Sequence, residues 1–157
     1  MSEDIYINRR KIFDNLQYLD WWAFGLLGEA GHEDETRLEL TRWLSEQPML
    51  SLEEIDGLIL GGCRSNLDGY LTDSYCAVLA NAFISYPEQF VKRMSGENMS
   101  DPERRQIVSL TAYGCAAPEE TFERALEAAE EITGDPLRYT ERELVWGEAL
   151  AAAIRGQ

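Results

Sequence analysis

Valine is scarce in this sequence, with four residues in 157, and so are histidine, with one, and lysine, with two. Strands draw on Val, Ile, Thr and aromatics, so a shortage of Val argues against a β-rich fold. A single histidine, His32, leaves little for a His-based metal set or a Ser–His–Asp arrangement. Basic residues number 14 against 29 acids. Binding to a nucleic-acid backbone needs Lys and Arg in excess, so direct nucleic-acid binding is not expected. Gly61-Gly62 lacks the Gly-Lys-Ser/Thr ending of a phosphate loop. The three cysteines, Cys63, Cys76 and Cys115, have no Cys-x-x-Cys spacing and cannot all pair within one chain, which predicts reduced thiols. No apolar run approaches the roughly 18 residues of a membrane span, and no membrane association is expected. Met1-Ser2-Glu3-Asp4 is acidic and leads into no apolar stretch, so a secretory signal is not expected and the expected location is cytoplasmic.

What is present is a helix-building vocabulary. Ala, Glu, Leu, Arg and Lys make up more than two fifths of the chain. Hydrophobic residues are 45%, enough for a core. The net charge of −15 is spread over the chain, not held in a tail, which predicts an acidic surface throughout.

The periodicity predicts one all-α domain over residues 1–157, with seven or eight short helices in antiparallel hairpins. Residues 8–28 read as one helix, capped by Asn8, with Ile12, Phe13, Leu16, Leu19, Ala23, Leu26 and Leu27 on its apolar side and Gly28 and Gly31 ending it. Residues 33–47 read as a second helix, opening on three acids and stopped by Pro48. Ser51 and Glu54 have capping-box spacing and start a helix that Gly61-Gly62 should halt. Residues 73–86 form the most apolar stretch, which belongs in the middle of the domain. Pro87-Glu88, Pro102-Glu103 and Pro118-Glu119 open three further helices. Ser85/Glu88, Ser100/Glu103 and Thr140/Glu143 add capping-box spacings. The Pro-Glu pairs recur at 15 and 16 residues, suggesting a two-helix unit of the helical-repeat kind.

Catalytic and metal motifs are weak. Glu29 and His32 have Glu-x-x-His spacing, but one such pair interrupted by Gly31 is no di-metal site. Cys63 after two glycines could expose a thiol. A pair of carboxylates could act as acid and base, though among 29 acids no pair stands out. No cofactor or metal is expected, and the chain reads as a non-enzyme.

Binding features are stronger. Trp21 and Trp22 point about 100° apart on a helix. The apolar stripe places Trp22 nearer the core and Trp21 towards its edge, where it either packs on the flank of a wide apolar face or stands exposed as an anchor for a partner. Glu29, Glu33, Asp34 and Glu35 form one acid cluster. On the helix over 118–133, Phe122, Ala125, Leu126, Ala129 and Ile132 share one face, while Glu120, Glu123 and Glu127 line another. These residues predict an acidic binding module that neutralises a basic protein, an immunity protein or antitoxin covering a toxin enzyme's active or nucleic-acid-binding site. The alternatives are a helical-repeat scaffold without an inhibited enzyme, and a nucleic-acid mimic.

Overall fold

The computed structural model describes residues 9–157. Among the described residues nine α-helices follow one another: α1 (Arg9–Asn15), α2 (Trp21–Gly25), α3 (Glu33–Glu46), α4 (Leu52–Arg64), α5 (Tyr70–Ser85), α6 (Pro87–Met94), α7 (Asp101–Gly114), α8 (Glu119–Thr133) and α9 (Glu141–Arg155), with 3-10 turns at Leu16–Tyr18 and Pro136–Arg138. Among the described residues there is no strand, and the fold is a single all-α body. The proposed cap Asn8 lies outside those residues.

The helix starts follow local chemistry. Ser51/Glu54, Ser100/Glu103 and Thr140/Glu143 each form a complete capping box, in which the hydroxyl accepts from the third amide and the Glu carboxylate accepts from the cap amide. Ser85/Glu88 does not. Ser85 is the last residue of α5, Tyr86 takes the cap position of α6, and Glu88 turns instead to Lys92 and Arg138.

Two boundaries differ from expectation, and both matter for the site. The segment 8–28 is not one helix. A 3-10 turn closes α1, and Asp20 then caps a new helix by accepting from the amides of Trp22 and Ala23. The second correction is at Gly61-Gly62, which do not stop α4. It runs through them to Arg64 because they are its contact points. A Cβ on Gly61 would lie 2.5 Å from the Tyr75 hydroxyl, and one on Gly62 would meet Ile107 and Leu79 at 3.0 and 3.2 Å. Missing side chains there let α4 approach α5 and α7 closely.

α5 is the central helix, with α3, α4, α6, α7 and α8 packed on it. Tyr75, Cys76, Leu79 and Phe83 are buried, while Ala77, Asn81 and Ser85 form an open strip. The packing order is not a chain of hairpins. The main neighbours are often alternate helices, with α3 on α5, α5 on α7, α7 on α9, and α4 on α6. Arg37 reaches Tyr70 and Thr41 reaches Ser74, both 33 residues on, so α3 and α5 run side by side in the same direction.

Two arginines are built into the core. Arg104 donates to the carbonyls of Met94 and Gly96, pairs with Asp101 at 2.6 Å and stacks 5.9 Å from the Trp146 ring. Buried guanidinium is costly unless each N–H finds an acceptor, and here carbonyls supply them. Arg37 is the second.

Candidate interaction surface

Arg37 organises the region around α2. Its Nε donates to the Trp21 carbonyl at 2.9 Å, and Nη2 donates to the Trp22 carbonyl at 2.9 Å. Nη1 pairs with Asp34 at 3.1 Å, and the guanidinium lies 4.5 Å from the Trp22 ring centroid. Tyr70 donates to Asp34 at 2.6 Å and packs edge-on against Trp22. Asp20 also accepts from Asn66 at 2.9 Å; this bond, with those from Ala23 and Trp22, holds its carboxyl below the ordinary carboxylate range.

The two tryptophans are exchanged relative to the sequence expectation. Trp21 is 0% exposed, with its indole N–H on Ser65 and its ring edge-on to Phe24 and Tyr75. It is a core residue and presents nothing to a partner. Trp22 is 39% exposed. The reason is the break at Asp20: the restarted α2 has its own phase, so a stripe extrapolated from Ile12 and Leu16 points the wrong way. The same break brings Leu26 and Leu27 to the surface, at 71% and 64% exposure. Asp20 before two tryptophans is a cap signal that would have revealed this.

The first acid cluster borders these apolar residues. Leu26 shares an open depression with Gly31, His32, Glu33, Asp34, Glu35 and Arg37. Asp34 is engaged by Arg37 and Tyr70, and Glu35 accepts from or pairs with His32 at 3.0 Å. Glu33 lies over the start of α3, where its own amide and that of Gly31 hold its carboxyl down. Glu29 is exposed on the turn between Leu27 and Gly31.

The second cluster lies elsewhere. α8 packs on α9, α5 and α6, whereas α2 packs on α3. Ala125, Ala129 and Ile132 are buried as the periodicity implies, with Phe122 and Leu126 half-buried. Glu119, Glu120, Glu123, Glu127, Glu130 and Glu131 are exposed, and none has an ion-pair partner among the described residues. The fold therefore carries two acidic surfaces, not one.

The groups with chemical potential are otherwise occupied. Cys63 is half-buried 3.8 Å from Glu103, and burial with that neighbouring carboxylate pushes its thiol up to about 11, away from nucleophilic use near neutrality. Burial raises Asp56, but Arg93 holds it at 3.1 Å. Among the described residues no group of three or more His, Cys, Asp or Glu is arranged for a metal ion, and no helix is long and apolar enough to cross a membrane.

No family model, curated protein or solved structure matches this chain.

Proposed function

We propose that the protein is an acidic binding module that neutralises a basic partner protein, in the manner of an immunity protein or antitoxin covering an active or nucleic-acid-binding site. The observation that carries this reading is the disposition of charge. Eight cations, Arg9, Arg10, Arg37, Arg64, Lys92, Arg93, Arg104 and Arg138, are engaged by carboxylates of this same chain. The uncompensated carboxylates remain at the surface, most densely along α8. Such a field attracts basic proteins and speeds their encounter, and it repels nucleic acid and anionic lipid.

The alternating helix contacts and the parallel α3–α5 pair favour a second reading, a stacked-helix scaffold that presents surfaces to partners without inhibiting an enzyme. One experiment separates the two. The tagged full chain is used to capture proteins from its native lysate at low and high salt, and each captured protein is then purified and assayed with and without it. The inhibitor reading expects a basic partner, released by salt, whose activity falls on binding. A bound partner with unaltered activity supports the scaffold. Neutral or acidic partners held equally at high salt overturn both the charge argument and the inhibitor reading.

A further inference from the structure

We propose that Trp22, Leu26 and Leu27 are the docking face, and that its occupant is an amphipathic, basic segment of the partner, with apolar side chains on these three residues and cations over Glu29, Glu33 and Glu35. This inference rests on the acidic-module reading.

Three observations meet at this place. The first is apolar exposure: Trp22, Leu26 and Leu27 follow one another along α2 and the turn after it, and all three face solvent. Trp in such a setting is the residue type most enriched at binding hot spots. The second is rigidity. Trp22 is held by its amide on Asp20, its carbonyl on Arg37, the guanidinium over its ring and the perpendicular Tyr70 ring beside it. An anchor fixed beforehand loses little conformational freedom on binding. The third is charge. Leu26 is a wall of the same depression as Glu33, Asp34 and Glu35, so the apolar face and the carboxylates are contiguous. Asp34 is spent on Arg37 and Tyr70, whereas Glu29, Glu33 and Glu35 are exposed or half-exposed and pair with no Arg or Lys among the described residues, Glu33 meeting the Gly31 amide and Glu35 the His32 ring, so that all three can meet incoming cations.

Charge also selects among occupants. A second copy would bring the same acidic rim and a net charge of −15 against this face, and like charges directly opposed are costly. An anionic membrane surface meets the same repulsion. A basic segment without an apolar side would leave Leu26 and Leu27 uncovered. A segment with both features satisfies the face.

The probe is an 18-residue amphipathic helical peptide of Leu and Lys, with a scrambled peptide of identical composition as control. Each is titrated at low salt into the isotopically labelled full chain, and backbone amide shifts are followed. The expected result is saturable shifts at Trp22–Leu27 and Glu33–Glu35, at least tenfold weaker binding of the scrambled peptide, and at least tenfold weaker binding by Leu26→Ser/Leu27→Ser. Both leucines are exposed, so that variant should keep the wild-type melting temperature. Shifts confined to α8 would overturn the docking face while leaving the acidic-module reading intact. Equal binding of both peptides would overturn the requirement for an apolar side. Sedimentation showing self-association abolished in the double variant would assign the face to a second copy instead. Absence of binding by both peptides anywhere on the chain would overturn this inference and the acidic-module reading together.

Discussion

Arg37 Nε and the carbonyl oxygen of Trp21 lie 2.9 Å apart, joining α3 to the start of α2 across the core edge. The same guanidinium holds the next carbonyl and stacks on the next ring, so one side chain from α3 fixes both tryptophans in the placement that the break at Asp20 gives them. Arg37→Met should therefore act twice. It leaves two carbonyls without their donor and should lower stability by about 2–3 kcal/mol, in the range for lost charged hydrogen bonds. It also frees Trp22 to change rotamer. Chemical denaturation reads the first effect, and the polarisation decay of Trp22 fluorescence in a variant with the other tryptophans replaced by Phe reads the second. Unchanged Trp22 mobility would remove Arg37 from its positioning role.

The adjacent tryptophans should give opposite results. Trp21→Ala empties a fully enclosed site between Phe24 and Tyr75 and should cost about 3–5 kcal/mol. Trp22→Ala should cost about 1 kcal/mol or less, as expected for a part-exposed side chain. Urea melts of the two variants test this directly, and similar losses would contradict the exchange of roles.

On α8, Glu123→Lys/Glu127→Lys should leave stability within about 0.5 kcal/mol, because both side chains are exposed and have no ion-pair partner among the described residues. If α8 contributes to steering, association with a basic partner should slow by about tenfold at low salt and much less at high salt. Stopped-flow mixing over a salt series measures this. A rate that does not depend on salt would exclude α8 from steering.

The thiols should be quiet. Burial raises Cys63 and Cys76 to about 11 and Cys115 to about 12, with Glu103 adding to the effect at Cys63 and Asp73 at Cys76. In the folded protein at neutral pH, a disulfide reagent should modify Cys63 slowly, faster as pH rises, and the other two only after unfolding. Rapid modification of Cys63 at pH 7 would contradict its placement beside Glu103.

Glu103 supplies a pH dependence. It bonds to Arg64 at 2.7 Å and closes the α7 capping box, and these bonds lower its carboxyl from 4.5 to about 2. A depressed carboxyl stabilises the fold fully above its unfolded value and loses that contribution as pH falls through its folded value. Wild type should thus be more stable than Glu103→Gln above about pH 4.5, and the difference should shrink towards pH 2. Urea midpoints of both proteins across this window test the sign, and a constant gap would contradict it.

Helix class and most helix starts were legible in the sequence because they depend on neighbours within a turn: a hydroxyl and a carboxylate three residues apart closed a capping box at Ser51, Ser100 and Thr140, and failed only at Ser85, which the preceding helix takes as its last residue. The buried face of α8 was legible for the same reason, since one uninterrupted period of 3.6 orders it. The α2 surface was not. Its orientation depends on a break at Asp20, and its stability on Arg37, Asn66 and Tyr70, which lie 17, 46 and 50 residues further along. Gly61 and Gly62 carry the same lesson. Locally they resemble a helix stop, and only the close approach of Tyr75, Leu79 and Ile107 explains a helix that continues through them. Composition and short-range pattern determined an acidic, all-helical chain with a substantial core. Which side chains reach solvent was decided by contacts between helices distant in sequence, because burial depends on what packs opposite a residue and no local period encodes that.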